Sequence, residues 1–179
     1  MKFGKLDFND ATKHPELVAQ VTNEAVEKYN LNDTLVSEID ASLADTTAFC
    51  EAYDIGLDVS ANCVVVEAKR ADKTWYAACL ILATNRADIN GVVRRQLDAR
   101  KVSFAPMDIA TSLTKMEYGG ITPIGLPDDW QLIVDKAITQ KKHVIIGSGI
   151  RGSKILVPGN IFVSLPNTTI LDITKKEVQ

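Results

Sequence analysis

A glycine-rich stretch in the second half of the chain limits the possible folds more than any other segment. Its sequence is HVIIGSGIRGSK over residues 143–154, so an apolar run enters a G-x-G-x-x-G motif that begins at Gly147. In a doubly wound dinucleotide-binding fold, this motif leads directly into a crossover helix and a second parallel strand. Pro158 and Gly159 follow too soon for a helix of normal length. A dinucleotide-binding oxidoreductase is therefore the least favoured interpretation, and a tight turn between two strands is the simplest.

The rest of the chain predicts more strands than helices that could connect them. Two β-rich runs, 62–68 and 74–83, flank a short polar stretch and predict a hairpin. Apolar residues at helical spacing predict an amphipathic helix over 14–29. Further strands are predicted at 34–39, 102–104, 131–138 and 143–146, with short helices capped by Asp45 (ending at Gly56), Asp88 and Asp108. The predicted class is α+β, with a mixed, curled, barrel-like sheet flanked by helices.

Overall composition excludes several classes of protein. The chain has 179 residues, of which 46% are hydrophobic, and this predicts one compact globule. A net charge of −3 argues against a protein that coats nucleic acid non-specifically, but it permits local basic patches. Arg94, Arg95, Arg100 and Lys101 form such a patch, which suits nucleic-acid phosphates or forms an ordinary solvated face. Without a long apolar run or a leader-like start, we expect a cytoplasmic protein that does not bind membranes.

Cysteine and histidine are too sparse to indicate a metal site or a familiar nucleophile. Cys50, Cys63 and Cys79 include no C-x-x-C spacing, so neither a disulfide scaffold nor a thiolate zinc site is predicted. His14 and His143 are the only histidines, and neither a G-x-S-x-G elbow nor an H-E-x-x-H helix is present. We therefore expect no metal and no cofactor.

Several motifs in order resemble the YbaK/ProX-like aminoacyl-tRNA editing domains, a deacylase family related to the prolyl-tRNA synthetase insertion domain. The sequence YGGITPIG over 118–125 matches the G-x-x-x-P loop of that family, and 147–152 matches its second glycine loop. The LIVD segment between them fits the same layout, and the resemblance covers about 35–173. It implies an N-terminal helical extension over 1–33 and an editing-type domain over 34–179.

The resemblance implies an activity that needs few side chains. A trans-editing deacylase hydrolyses the ester that joins a wrong amino acid to the terminal adenosine of a tRNA. Backbone N–H groups in a glycine loop can hold the ester carbonyl and stabilise its developing negative charge while water or a substrate group attacks. The expected partner is the acceptor end of an aminoacyl-tRNA, and an aminoacyl-tRNA synthetase is a second candidate partner.

The resemblance also implies a set of site residues. Candidate catalytic positions are Asn62, Gly119 and Gly120. Candidate substrate-binding residues are Thr46, Thr47, Tyr118, Ile121, Thr122, Pro123, Asp135, Gly147, Ser148, Gly149 and Arg151. Tyr118 is placed to stack on adenine, and Lys154, beside the second glycine loop, could meet an ester, a ribose or a phosphate. For the two threonines, an alternative is that their hydroxyls serve only the first turn of a helix.

One position departs from the family pattern. Many members carry a lysine where the first strand of the hairpin begins, and Asn62 stands there in this chain. An amide can hydrogen-bond an ester or a phosphate but brings no charge. This departure keeps a second hypothesis open, in which a catalytically silent relative binds tRNA or a synthetase.

Overall fold

The computed structural model describes residues 1–175, in which short helices surround a mixed set of strands. The strands are β1 (Lys2–Phe3), β2 (Leu6–Asp7), β3 (Asn9–Asp10), β4 (Leu35–Glu38), β5 (Ala61–Arg70), β6 (Lys73–Leu82), β7 (Lys101–Phe104), β8 (Gln131–Asp135), β9 (Val144–Gly147), β10 (Ser153–Val157) and β11 (Thr168–Leu171). The α-helices are α1 (Gln20–Lys28), α2 (Thr46–Tyr53), α3 (Arg94–Gln96), α4 (Met107–Thr114) and α5 (Lys136–Thr139). A π-helical turn, Ile89–Val93, leads into α3.

Two larger sheets carry the fold. One has the strand order β11-β8-β6-β5-β7, in which β8 pairs in parallel with both β6 and β11 while the remaining pairs are antiparallel. The other is antiparallel, with the order β3-β4-β10-β9. An isolated parallel bridge between Ser60 and Ile145 joins the start of β5 to β9. The α+β class with a mixed sheet is confirmed, whereas a curl of the sheet into a barrel is not established.

The predicted hairpin forms the centre of the core. Its strands β5 and β6 pair from Ala61 with Leu82 to Arg70 with Lys73, so the polar stretch belongs mostly to the strands. The second half of β6 is buried on both faces, which explains its continuous apolar sequence. Burial raises the pKa of the Cys79 thiol to about 12, so this thiol stays protonated.

The glycine-rich stretch connects two antiparallel strands. Gly147 at the end of β9 pairs with Lys154 in β10, and residues 148–152 make the turn between them. Strand β10 occupies the segment before Pro158 in which a dinucleotide-binding fold would need its crossover helix. The dinucleotide interpretation is therefore excluded.

The predicted N-terminal helix is broken in two. A 3₁₀ turn, Pro15–Leu17, precedes α1, and Ala19 between them is extended. The Ala19 N–H donates to the carbonyl oxygen of Ser148 at 3.0 Å, so a contact with a distant turn replaces a continuous helix. A division of the chain between residues 33 and 34 remains a prediction, and the last four residues of the proposed second unit lie outside the described residues.

Three other helix boundaries show where local signals succeed or fail. The Asp45 carboxylate caps α2 as expected by accepting the N–H groups of the next turn. The helix ends at Tyr53, before the predicted end at Gly56, and its C-cap Asp54 adopts the left-handed conformation with φ 56°. The predicted cap Asp108 lies inside the first turn of α4, and the strand predicted over 131–138 ends at Asp135, where α5 begins.

Within residues 1–175, no helix is both long enough and apolar enough to cross a lipid bilayer.

Candidate functional site

A cavity of about 700 Å³ opens beside the two glycine-rich loops. We call it the site cavity, and we call residues 118–125 the first glycine loop and residues 147–152 the second. The first turn of α2, the start of β5 and the end of β7 complete its wall. The predicted site residues that line it are Thr46, Asn62, Tyr118, Gly119, Ile121, Gly147 and Arg151. Another cavity, of about 730 Å³ around Trp75 and Trp130, contains none of the predicted site residues.

The two glycine loops contact each other through their backbones. The Gly149 N–H donates to the Gly120 carbonyl oxygen at 2.7 Å, and the Glu117 N–H donates to the Gly149 carbonyl oxygen at 2.8 Å. A Cβ atom on Gly120 would lie 2.5 Å from the carbonyl oxygen of Ile150. A Cβ atom on Gly147 would overlap the carbonyl oxygen of Gly120. Glycine is required at both positions because any side chain would push the loops apart.

The first glycine loop presents backbone donors at the cavity. Within residues 1–175, the N–H groups of Gly119 and Ile121 donate to no protein acceptor. Both residues line the site cavity, and Gly119 has a φ of 81°, which side-chain-bearing residues rarely adopt. Gly119 is exposed and Ile121 is partly exposed, so water can accept hydrogen bonds from these N–H groups and a ligand oxygen can take its place. The loop can therefore offer these two donors to a ligand oxygen.

Arg151 links the two glycine loops to the segment around Ala41 through hydrogen bonds. Its guanidinium donates to the Tyr118 carbonyl oxygen at 3.0 Å and to the Ala41 carbonyl oxygen at 3.1 Å. Its backbone N–H donates to the Glu117 carboxylate at 2.7 Å. The side chain thus lines the cavity, and two of the five N–H donors of its guanidinium hold the carbonyl oxygens of Tyr118 and Ala41.

Asn62 and Thr46 form a polar pair on the cavity wall. The Thr46 hydroxyl donates to the Asn62 side-chain oxygen at 2.6 Å, which orients the amide. In the described part of the chain, the Asn62 amide nitrogen donates to no protein acceptor. This nitrogen can therefore donate to an ester, a ribose or a phosphate in the cavity. The adjacent Thr47 does not line the cavity, and its N–H is bound by the Asp45 carboxylate.

An apolar rim surrounds part of the opening. Tyr118 is 57% exposed there, and it is accompanied by Phe104 at 67% and Met107 at 51%. Phe104 was not predicted as a site residue, because alternation along β7 places it on the same face as the buried Val102. Strand β7 is an edge strand, and its last residue, Phe104, pairs with Val66 in β5 and lines the site cavity. The sequence could have indicated this exposure, because an aromatic residue at the end of a strand, beside Ala105 and Pro106, has few neighbouring strands to cover it.

Several predicted site residues support the loops from behind or lie elsewhere. Gly120, Thr122, Pro123, Ser148, Gly149, Thr47 and Asp135 do not line the site cavity. Thr122 and Pro123 are buried residues of the first glycine loop. The Ser148 hydroxyl donates to the Ile150 carbonyl oxygen at 3.1 Å and closes the second loop.

Asp135 lies at the end of β8 and is 1% exposed. Its carboxylate accepts the Ile173 N–H at 3.4 Å and the Thr174 hydroxyl at 3.1 Å. These contacts hold the segment after β11 against the sheet. The assignment of Asp135 to substrate binding gains no support from this placement.

We expect Asp135→Ala to destabilise the protein by about 1–3 kcal/mol, because it leaves buried donors of the C-terminal segment unpaired. Thermal unfolding measures the effect, and Asp33→Ala, which removes an exposed aspartate, serves as the control. An unchanged melting temperature combined with weaker tRNA binding would instead support a role in substrate binding.

Two titratable groups at the cavity have shifted pKa values. Burial raises the pKa of the Cys63 thiol, and the neighbouring Cys79 raises it further, so Cys63 is a poor thiolate nucleophile. Burial lowers the pKa of Lys154, an effect that nearby Asp45 partly opposes. Within residues 1–175, no three His, Cys, Asp or Glu side chains cluster closely enough to hold a metal ion.

Known proteins resemble this chain in sequence pattern and in fold. The model of the aminoacyl-tRNA editing domain family matches residues 40–164, which include both glycine loops and the Asn62 position. No curated protein matches the chain significantly.

Solved structures share the fold at low sequence identity. One is described as a candidate trans-editing enzyme for prolyl tRNA synthetase; it is 17% identical, with a TM-score of 0.75 over 88% of this chain and 97% of the other. Another is the hypothetical protein APE2540, also 17% identical, with a TM-score of 0.76 over 87% of this chain and 100% of the other. These likenesses establish the fold.

Proposed function

Since the chain belongs to the aminoacyl-tRNA editing domain family, we propose that it hydrolyses the ester of mischarged aminoacyl-tRNA in the site cavity. The reaction releases the amino acid and leaves the tRNA with a free terminal ribose. We further propose that it acts in trans, as is described for one structural neighbour.

The observation that carries the proposal is the pair of unpartnered backbone donors in the first glycine loop. The N–H groups of Gly119 and Ile121 have no acceptor within residues 1–175, and both residues line the cavity. An ester carbonyl oxygen bound there would gain hydrogen bonds that strengthen as negative charge develops on it. Such preorganised donors are each typically worth about 10²–10³ in rate.

The chemistry follows from that placement. A water molecule, or a hydroxyl of the substrate that water later regenerates, attacks the ester carbonyl carbon. The carbonyl π electrons move onto the oxygen held by the loop, and their return breaks the bond to the ribose oxygen, which takes a proton. No side-chain nucleophile is required, because orientation and oxyanion stabilisation supply the acceleration.

The side chains around the loop have supporting roles in this proposal. The free amide nitrogen of Asn62 donates to the ribose or the ester, with Thr46 fixing its orientation. Arg151 positions the loop through the Tyr118 carbonyl. Tyr118 and Phe104 at the rim offer apolar surfaces on which the terminal adenine can stack.

One observation favours a second candidate function. Asn62 stands where many family members have a lysine, so the chain lacks a charge on that wall. A catalytically silent member would still bind the acceptor end of tRNA, or a synthetase, through the same cavity and rim.

A panel of mischarged tRNAs carrying Ala, Ser, Cys or Pro separates the two functions. We expect the native protein to release at least one of these amino acids faster than the spontaneous rate, while a simple amino acid methyl ester is not hydrolysed. Tight binding of tRNA without release of any amino acid would support the silent member instead. Selectivity within the panel reflects pocket volume, because one methylene group changes the discrimination between two substrates by about 1–3 kcal/mol.

A further inference from the structure

Lys154 carries a positive charge that the fold buries at the site cavity. It lies in β10 among apolar residues, it is 7% exposed, and it lines the cavity. Its ammonium group donates to the Ala44 carbonyl oxygen at 3.1 Å and lies 5.2 Å from the centroid of the Phe49 ring. Among the described residues, no carboxylate forms a salt bridge with it. Buried lysines are normally paired with an anion, so this one can accept an anionic ligand.

The charges around Lys154 leave the cavity positive. Asp45 is the acidic residue on the cavity wall, and its carboxylate is already used to cap α2. Arg151 adds a second cation, whose guanidinium contacts only carbonyl oxygens. A positive cavity in a chain of net charge −3 is a local feature that attracts anions. Burial lowers the pKa of Lys154, and a bound anion would oppose this shift by favouring the charged form.

From this geometry we infer that Lys154 binds the phosphate of the substrate's terminal nucleotide. The inference rests on the proposed function, in which the terminal adenosine ester enters the site cavity. Near that ester the substrate carries two charged groups, the ammonium of the amino acid and the 5′-phosphate of the adenosine. Lys154 repels the first and attracts the second, so its position orients the substrate with the phosphate towards β10. Many family members carry a lysine at the position of Asn62. In this chain, Lys154 of β10 thereby supplies the positive charge instead.

Binding of adenosine 5′-monophosphate and of adenosine, measured by calorimetry on the full chain, tests this inference without using activity. We expect the native protein to bind the monophosphate at least about 10-fold more tightly than adenosine. Lys154→Met retains the aliphatic stem and should bind both compounds equally. Lys142→Met, which removes an exposed lysine outside the cavity, should retain the native preference. Lys154→Gln provides a second neutral variant, and thermal unfolding verifies that each variant is folded.

The outcomes separate this inference from the proposed function. The inference would be overturned if the native protein bound adenosine 5′-monophosphate no more tightly than adenosine, or if both Lys154 variants kept the native preference for the monophosphate. Lys154 would then be a structural cation. A preference that only the Lys154 variants lose supports it, even if no mischarged tRNA is hydrolysed and the chain proves to be a silent member.

Discussion

Gly120→Ala is expected to reduce ester hydrolysis by about 100-fold or more. The added Cβ atom would lie 2.5 Å from the Ile150 carbonyl oxygen and 2.9 Å from the Ile150 nitrogen, both of which are backbone atoms that cannot rotate away. The first glycine loop must therefore move, and the N–H groups of Gly119 and Ile121 move with it. Overpacking of this kind also costs about 1–3 kcal/mol of stability.

Gly152→Ala is the matched control for this substitution. It adds the same methyl group in the second glycine loop, where no atom lies within 4 Å of the new Cβ. Gly152 does not line the site cavity and does not have a positive φ. We expect native rates and a native melting temperature for this variant. Equal rates for Gly120→Ala and Gly152→Ala would contradict the assignment of the chemistry to the first glycine loop.

Arg151→Met is expected to have the second-largest effect. It removes the two hydrogen bonds that tie the Tyr118 and Ala41 carbonyls together, and hydrogen bonds to charged groups are worth about 1.5–3 kcal/mol each. Because Arg151 is partly exposed, we expect a total loss of about 1–3 kcal/mol in stability. If the N–H groups of the first glycine loop stabilise the oxyanion as proposed, activity should fall mainly through kcat, since these groups lose their position.

Arg151→Lys distinguishes charge from geometry. A lysine keeps the positive charge but cannot bridge both carbonyls with a planar fork. We expect it to rescue little of the stability and little of kcat, whereas Arg86→Met, at an exposed position outside the cavity, should resemble the native protein. Full rescue by lysine would show that Arg151 acts on the substrate through its charge.

The sequence correctly predicted those elements whose stabilising contacts lie between residues close together in the chain. The hairpin of β5 and β6 follows from two β-rich runs, and the Asp45 cap follows from side-chain chemistry within one turn. The Pro158-Gly159 pair correctly indicated that the glycine motif does not open a dinucleotide-binding fold. These features need no knowledge of distant contacts.

Features created by distant contacts could not be predicted in this way. The helix over 14–29 breaks at Ala19 because its N–H finds the Ser148 carbonyl of the second glycine loop. Asp135 is used by the C-terminal segment, a partner 38 residues away in the sequence. The close approach of Gly120 and Gly147 likewise arises between separate loops, so the resemblance located the glycines but not their contact.

We assign hydrolysis of the aminoacyl ester to the first glycine loop. Single-turnover release of the amino acid from the best tRNA of the panel, compared between the native protein and Gly119→Val, tests this assignment most directly. Valine at a φ of 81°, with its Cβ 2.7 Å from the Arg151 guanidinium, distorts the loop at one of its two free donors. We predict release by the native protein and almost none by the variant, with tRNA affinity retained. Equal release by both proteins, or none by the native protein at saturating concentration, would contradict this assignment.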